Sequence, residues 1–304
     1  MRTAFIEQLV EEAKTNDKIF LIVGDLGFNV VEPFRDQFSD RFLNVGIDEQ
    51  NMVGVACGLS MLGYNVYIYS IANFPTLRCM EQIRYDVAYH NANVKIVSVG
   101  AGYAYGSLGA SHHATEDMGM MRTIPNMVVC SPGDPVEARA VTKFSATYQG
   151  PMYLRLGKAG EKRVHGSEIV KFNLGDICSV REGFSCSVLV MGAILSYVND
   201  FIIENKIDVA LYSCPFVKPI NSKQLKKIIC QNRKVITIEE HQASAGFGSA
   251  ILESINDLMQ KKELEYFPDV KRIAIPDKFF YVSGTQAYLR KEAGLIINKS
   301  IFDE

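Results

Sequence analysis

The sequence predicts an α/β protein made of two doubly wound domains with mainly parallel sheets. Short apolar runs typical of buried strands alternate with longer segments whose apolar residues recur at helical spacing. This alternation occurs twice, on either side of a more charged stretch at 157–184 that lacks it. Strands that alternate with helices favour parallel sheets covered on both faces. We therefore expect one domain at 1–165 and a second at 180–304.

The composition is that of a folded cytoplasmic protein. Hydrophobic residues make up 48% of the 304 residues and charged residues 22%, so a sizeable core is expected. The net charge of −2 excludes a basic nucleic-acid footprint, and no apolar run approaches the ~18 residues of a membrane span. The seven cysteines are scattered without a Cys-x-x-Cys pair, which favours reduced thiols over disulfides or a zinc site.

The elements can be assigned in order along both halves. In the first half the patterns predict helices at 5–13, 50–59, 76–90, 114–124 and 135–148, and strands at 19–23, 66–69, 94–99, 127–130 and 152–156. In the second half they predict strands at 188–191, 209–212, 235–238 and 270–275, and helices at 195–204, 222–231 and 247–261. Because ligands bind at the carboxyl ends of parallel strands, polar residues that follow strands are the candidate site residues.

The stretch Gly46–Leu59 predicts a strand end, a short turn and a helix, with two carboxylates at the turn. Asp48 and Glu49 lie where the positive end of the helix dipole favours anions. One interpretation is that both merely cap the helix. The other is that one of them, Glu49, faces a ligand.

Four more sets of candidate residues lie in or after predicted strands. Ser111-His112-His113 closes a glycine-rich loop at 100–113, and adjacent histidines point in different directions, so at most one of them is expected to aim at a given substrate. Phe74 lies in the segment Tyr69–Arg84, Asp25 follows the strand at 19–23, and Arg155 belongs to the strand at 152–156. The alternative interpretations are that the histidines only cap a helix, that Phe74 is a core residue and that Asp25 only forms a turn.

Three stretches resemble transketolase-type thiamine diphosphate enzymes. They are the sequence Gly-Ile-Asp-Glu-Gln around Glu49, the sequence Gln-Ile-Arg at 82–84 and the loop ending at His112. The resemblance implies that Glu49 faces the aminopyrimidine of the cofactor and activates it, in a poorly solvated pocket. His112 matches the motif histidine and would help to move protons on the substrate. His113 takes the next position and, with His112, would bind substrate.

The same resemblance assigns roles to three other residues. Phe74 is the nearest candidate for the aromatic side chain that stacks on the pyrimidine ring. Asp25 matches a loop on the cofactor side, and Arg155 lies where related enzymes have an arginine that faces the substrate. Residues 1–165 would be the pyrimidine-binding domain and 180–304 the transketolase C-terminal domain.

The family's metal motif, Gly-Asp-Gly followed by Asn, does not occur in the sequence. No metal ligand is therefore assigned to this chain. The resemblance implies that a partner, the N-terminal diphosphate-binding subunit, holds the diphosphate and Mg²⁺. A homodimer of this chain within an α2β2 complex is the corresponding assembly.

The function implied by the resemblance is transfer of a two-carbon ketol unit from a ketose donor to an aldose acceptor. Three alternatives stay open: a beta subunit of a 2-oxo-acid dehydrogenase, a relative of deoxyxylulose-phosphate synthase, and a non-catalytic regulatory subunit. Two departures from the family pattern bear on the substrate. Leu108 replaces an aspartate that reads a sugar hydroxyl, and Gly100 replaces a histidine that contacts sugar phosphate.

Overall fold

The chain folds into two sheets flanked by helices, and the structure, a computed structural model, describes residues 1–169 and 172–303. The elements of the first half are α1 (Arg2–Thr15), β1 (Ile19–Val23), α2 (Glu32–Gln37), β2 (Phe42–Asn44), α3 (Glu49–Met61), β3 (Asn65–Ile71), α4 (Met80–Gln82), β4 (Val94–Val99), α5 (Asp117–Thr123), β5 (Val128–Cys130), α6 (Pro135–Thr147) and β6 (Met152–Leu156). Those of the second half are β7 (Cys178–Arg181), β8 (Ser187–Met191), α7 (Leu195–Glu204), β9 (Ala210–Ser213), β10 (Phe216–Lys218), α8 (Ser222–Gln231), β11 (Lys234–Gln242), α9 (Phe247–Gln260), β12 (Asp269–Ile275), α10 (Gln286–Glu292) and α11 (Ser300–Asp303).

The first sheet has seven strands in the order β10-β5-β6-β4-β3-β1-β2. The strands β1 to β6 run parallel to one another, and only the edge strand β10 is antiparallel to its neighbour, β5. The chain leaves β1 toward β2 on one side and returns through β3 toward β4 on the other. The strand order therefore reverses between β1 and β3, which is where open α/β sheets bind ligands.

The second sheet has five strands in the order β12-β11-β8-β9-β7. Neighbouring strands of this sheet are parallel, except that β7 runs antiparallel to β9 at the edge. The predicted α/β class with mainly parallel sheets is confirmed in both halves.

The strand β10 belongs to the second half of the chain but pairs with the first sheet. Phe216 lies opposite Cys130 in an antiparallel ladder, and the backbone N–H of Ser131 donates to the carbonyl of Pro215. The sequence did not indicate this strand, because only three residues pair and their apolar pattern is too short to have a period.

Helices cover both faces of the first sheet. On one face, α1 and α6 pack their apolar side chains, among them Phe5, Leu9 and Val141, against the strands. On the other face α3 contributes Met52 and Val53 to a cluster that continues into the second half of the chain. Within the described ranges, no helix combines the length and the apolar character that a membrane span requires.

Two predicted helices differ from the observed elements. The helix predicted at 76–90 is a 3-10 turn at Leu77–Cys79, one turn of α-helix in α4, and a π-helix at Ile83–Tyr89. The helix predicted from 114 begins at Asp117, because Ala114 instead pairs with Gly102 in an isolated antiparallel bridge. The helix α2 and the strand β2 were not predicted at all.

The segment between the two halves is tied down at residues 164 and 165. Asp134 accepts the backbone N–H groups of Val164 and His165 at 2.8 and 2.9 Å, and the His165 Nε2 lies 2.7 Å from Glu137 Oε1. The predicted boundary at 165–180 includes residues 170 and 171, which lie outside the described residues. The strand β7 begins before that boundary ends, so part of the predicted linker is sheet.

A buried polar junction joins the two sheets. The Arg155 Nε on β6 donates to Asp117 Oδ2 at 2.9 Å, and Arg155 Nη2 donates to the carbonyls of Ala114 and Glu240 at 2.6 and 3.1 Å. The Tyr153 hydroxyl donates to the same Asp117 carboxylate. The side chains of Arg155 and Asp117 are 2% and 0% exposed, so this ion pair is fully desolvated.

Replacing Arg155 by Met should lower the free energy of unfolding by about 3–5 kcal/mol, because the Asp117 charge would remain buried without its counterion. Urea unfolding followed by circular dichroism measures this. The matched control is Arg139→Met, which removes a surface pair with Glu7 and should cost less than about 1 kcal/mol. Equal losses of unfolding free energy for the two substitutions would contradict the conclusion that the buried Arg155–Asp117 pair stabilises the fold more than a surface pair does.

The His165–Glu137 pair predicts a pH dependence of stability. Burial works to lower the pKa of His165, but the hydrogen bond and charge of Glu137 outweigh it and raise this pKa above its ordinary 6.5. The pair therefore stabilises the fold below about pH 6.5, and this stabilisation is lost as the pH rises through the raised pKa.

The difference in unfolding free energy between the wild type and His165→Asn should therefore be largest near pH 6 and should shrink by pH 9. Urea unfolding at the two pH values gives both differences. If this free-energy difference instead increases with pH, the charged imidazole of His165 does not stabilise the segment between the two halves.

Candidate functional site

Glu49 is the first residue of α3 and lies at the carboxyl edge of the first sheet. Asp48 is the N-cap of this helix and accepts the backbone N–H of Asn51 at 3.4 Å. The capping interpretation thus holds for Asp48. Glu49 instead turns its carboxylate inward, where the side chain is 1% exposed.

Two side chains hydrogen-bond to the Glu49 carboxylate. Ser70 at the end of β3 donates its hydroxyl to Oε1 at 3.2 Å, and Arg78 Nη1 donates to Oε2 at 2.7 Å. Gly24 at the end of β1 faces the same group, since a Cβ at this position would lie 3.6 Å from Oε1. The carboxylate is therefore enclosed by the ends of β1 and β3, at the point where the strand order reverses.

Arg78 links Glu49 to Phe74. Its guanidinium carbon lies 4.7 Å from the centroid of the Phe74 ring, and the Arg78 side chain is 46% exposed. The imidazole of His112 also packs edge-on against Phe74, with ring centroids 5.2 Å apart. The structure thus brings Glu49, Phe74 and His112 into one row, with Arg78 between the first two.

The imidazole of His112 is placed to exchange protons. Its Nδ1 lies 3.0 Å from the hydroxyl of Ser111, and burial lowers the pKa of His112 below its ordinary 6.5. Near neutral pH the ring is therefore uncharged, with one nitrogen that can donate a proton and one that can accept.

His113 points away from His112, as expected for adjacent residues. Its ring packs edge-on against Tyr103 with centroids 5.1 Å apart, and burial lowers its pKa, opposed by the Gly106 carbonyl. The His113 Nε2 and the Tyr103 hydroxyl are buried, and neither has a hydrogen-bond partner among the described residues. Both residues line a groove of about 510 Å³ that Phe74 and Lys278 also line.

Asp25 lies at the same sheet edge as Glu49 but outside the row. Its Oδ1 accepts the Asn44 side-chain amide at 3.0 Å, and its own N–H donates to Asn44 Oδ1 at 2.9 Å. The backbone of Asp25 has φ of 54°, and the side chain is exposed. These contacts link the carboxyl ends of the parallel strands β1 and β2.

The position of Arg155 corrects the expectation that it faces the substrate. The guanidinium lies inside the junction of the two sheets, bonded to Asp117 and to two carbonyl groups. An arginine on a central strand with both faces covered needs such partners, because an unpaired buried charge is costly. Its position gives Arg155 a role in holding the two halves together.

Sequence reasoning missed Arg78 and Ser70. Arg78 lies in the same segment as the aromatic candidate Phe74, and Ser70 is a polar residue at the end of a predicted strand. The edge rule for parallel sheets would have found Ser70. Arg78 has no comparable signal, since only the turn at Leu77–Cys79 directs its side chain toward Glu49.

The end of β11 forms a second polar cluster against the first sheet. Glu239 accepts the backbone N–H groups of Phe247 and Gly248 at 2.6 and 2.8 Å, and burial raises its pKa to about 7. Burial lowers the pKa of His241 to about 4, and its Nε2 accepts the backbone N–H of Gly119 at 3.1 Å. The His241 contact crosses between the two halves, whereas the Glu239 contacts fix the start of α9 within the second half.

Two family models match the chain. The model described as transketolase, pyrimidine binding domain matches residues 1–160, and the model described as transketolase, C-terminal domain matches residues 179–299.

Two proteins with similar sequences are described as a subunit and a section of transketolases. An apulose-4-phosphate transketolase subunit of Actinobacillus succinogenes is 30% identical over 294 residues, which is 95% of this chain and 92% of the relative. The putative transketolase C-terminal section of Methanocaldococcus jannaschii is 34% identical over an alignment of 313 residues, which covers 100% of this chain and 96% of the relative.

A solved structure has the same architecture. It is described as a split gene transketolase, inactive beta4 tetramer, and aligns with a TM-score of 0.82 and 31% identity over 97% of this chain and 93% of its own. The chain therefore belongs to the transketolase family and contains that family's pyrimidine-binding and C-terminal domains.

Proposed function

We propose that this chain is one subunit of a thiamine-diphosphate-dependent transketolase that moves a two-carbon ketol unit from a ketose donor to an aldose acceptor. The observation that carries the proposal is the buried carboxylate of Glu49 at the reversal point of the sheet, linked through Arg78 to the ring face of Phe74. The active site would be completed by a partner subunit with a diphosphate-binding domain.

The residues of the row fit an aminopyrimidine ring. Such a ring is flat, hydrogen-bonds in its own plane and stacks on an aromatic face. The guanidinium of Arg78 is also flat, donates in its plane to Glu49 Oε2 and lies over the Phe74 ring. Arg78 thus makes the two contacts that the cofactor ring would make, and its half-exposed side chain has room to swing outward.

The proposed roles follow from this fit. When bound, thiamine diphosphate supplies a reactive carbon and an electron sink for cleavage next to a carbonyl group. Glu49 would hold a hydrogen bond to the ring nitrogen, shielded from water by α3 and the ends of β1 and β3. His112 would move protons on donor and acceptor, since its neutral ring can both give and take one.

Other site residues keep more limited roles. His113 would contact substrate through Nε2, which is buried without a partner and lines the groove beside Phe74. Asp25 would shape the cofactor side of the site by linking the ends of β1 and β2 through Asn44. We assign no substrate contact to Arg155.

A partner subunit is supported by what surrounds the site. Large apolar side chains stand exposed where the carboxyl ends of the strands meet the surface, and they are Phe28, Ile47, Leu77, Leu108 and Phe279. Clustered exposed apolar residues mark protein interfaces. We propose that the diphosphate-binding subunit covers them and holds the diphosphate and Mg²⁺.

The assembly proposed is two copies of each subunit. Gly54 and Gly58 lie four residues apart on α3 and face open space, so a second copy of this chain could approach the helix closely. A cytoplasmic location is proposed for the complex, and all seven cysteines, which lie in the described ranges, carry free thiols.

The substrate end differs from the usual family pattern. A side chain at Gly100 would collide with Tyr105, because a Cβ there would lie 2.3 Å from the Tyr105 ring and φ is +106°. Leu108 is exposed and cannot hydrogen-bond a hydroxyl group. We therefore propose acceptors or donors other than the ordinary pentose phosphates, as the relative that acts on apulose 4-phosphate also suggests by its description.

Mixing this chain with a diphosphate-binding transketolase chain, thiamine diphosphate and Mg²⁺ tests the proposal. Ketol transfer by the mixture, and none by either chain alone, is the expected result. Decarboxylation of pyruvate without ketol transfer would favour a 2-oxo-acid dehydrogenase subunit or a deoxyxylulose-phosphate synthase relative. Full activity of this chain alone would contradict the shared site.

Replacing Glu49 by Gln should reduce ketol transfer by about 10²–10⁴-fold, because an amide cannot supply the proton chemistry of a carboxyl group. Rates are measured in the reconstituted complex with a coupled assay. The control is Glu81→Gln, an exposed carboxylate on the neighbouring α4, which should leave the rate unchanged. An unaffected Glu49→Gln complex would support a regulatory subunit instead.

Replacing Arg78 by Gln should strengthen thiamine diphosphate binding about five-fold, because the variant lacks the side chain that competes for Glu49 and Phe74. This factor corresponds to about 1 kcal/mol, the scale of a half-exposed ion pair. Calorimetry on the complex gives the dissociation constants. Arg84→Gln, which removes a guanidinium stacked on Tyr85, is the control and should change nothing. Weaker binding by Arg78→Gln would mean that Arg78 holds the cofactor.

A further inference from the structure

The loop at 100–113, here called the histidine loop, carries His112 and His113 but gains much of its anchoring from the second half of the chain. The backbone N–H of Tyr103 donates to Glu240 Oε1 at 2.7 Å. The backbone N–H of Gly284 donates to the carbonyl of Gly106 at 3.2 Å. Two backbone groups of the loop are therefore tied to residues more than a hundred positions away.

The backbone of the histidine loop also packs directly against residues of the second half of the chain. A Cβ at Gly102 would lie 2.6 Å from Glu240 Cγ, and φ at Gly102 is +60°. A Cβ at Gly106 would lie 2.2 Å from Leu289 Cδ1 and 2.9 Å from the carbonyl oxygen of Gly284. Real Cβ atoms do not approach so closely, so both positions need glycine for the loop to dock in this way.

Glu240 itself is rigidly held. Arg290 donates through Nε to Oε2 at 2.7 Å and also through Nη2, and Gln286 Nε2 lies 3.0 and 3.1 Å from the two carboxylate oxygens. The Glu240 carbonyl accepts from Arg155, which also bonds Ala114 just beyond the loop. The carboxylate is buried with every partner supplied by the protein, which makes it an anchor and not a ligand-binding group.

We propose that Glu240 is a positioning residue for the reaction, and that the C-terminal domain sets the location of His112 through it. The inference rests on the proposed function for His112. Glu240 holds the histidine loop at Tyr103, Gly284 holds it at Gly106, and the Asn73 side-chain amide donates to the carbonyls of Ser111 and His113. Loss of the Glu240 bond would release the beginning of the loop and so change the position of His112 relative to Phe74 and Glu49. The hydrogen bonds of Glu240 do not include Glu49 or Phe74, so cofactor binding and loop position are separable.

The experiment compares Glu240→Ala, Glu240→Gln and Glu253→Ala. The glutamine variant keeps an oxygen that can accept the Tyr103 N–H. Glu253 forms an ion pair with Arg122 that also crosses between the two halves but does not touch the loop. Hydrogen exchange of the Tyr103 amide in the isolated chain, the thiamine diphosphate dissociation constant of the complex, and kcat and KM for ketol transfer are measured on each variant.

The expected result for Glu240→Ala is exchange of the Tyr103 amide at least ten-fold faster and kcat at least ten-fold lower, with the cofactor dissociation constant within two-fold of the wild type. Glu240→Gln should recover most of both losses, and Glu253→Ala should match the wild type. Faster exchange with an unchanged kcat would overturn the proposal, as would unchanged exchange.

Two further outcomes are kept distinct. If Glu240→Ala does not fold, Gln286→Ala removes one neutral contact to the same carboxylate without leaving a charge unpaired, and it should give smaller changes in the same direction; no change would overturn the proposal. If the wild-type complex transfers no ketol unit, the proposed function fails, and with it the catalytic part of this inference, while the exchange measurement still decides whether Glu240 anchors the loop.

Discussion

Glu49 is a carboxylate that the fold keeps from water, and its burial constrains everything around it. A buried acid needs hydrogen-bond donors, and at the reversal point of the first sheet these come from Ser70 and Arg78. Asp48 takes over the capping of α3, which frees the neighbouring carboxylate from that task. The reversal of the strand order, the start of α3 and the turn at Leu77–Cys79 therefore all place a group next to the Glu49 side chain.

The polar junction between the sheets is the second constraint. Arg155, Asp117 and Tyr153 are buried between the two sheets, and their hydrogen bonds connect β6 with α5, with Ala114 and with the end of β11. Apolar packing alone allows two layers to slide, whereas a network of directional bonds allows one register. The relative position of the two halves is thus set by chemistry as well as by shape.

Sequence patterns predicted most strands and the long helices, because a buried strand or an amphipathic helix leaves a periodic trace in its own residues. They placed Glu49 and Asp25 at the correct sheet edge for the same reason. They missed β10, the π-helix and the inward position of Arg155, since these depend on residues far away in the chain. Arg155 in particular needed Asp117 and Glu240, whose proximity no local pattern records.

The strand β10 makes the first sheet depend on the second half of the chain. Phe216 and its neighbours pair with the outer side of β5. A chain cut off before β10 would leave that side of β5 as an open strand edge, which is a template for association with other chains. The similarity to the relatives extends across both halves.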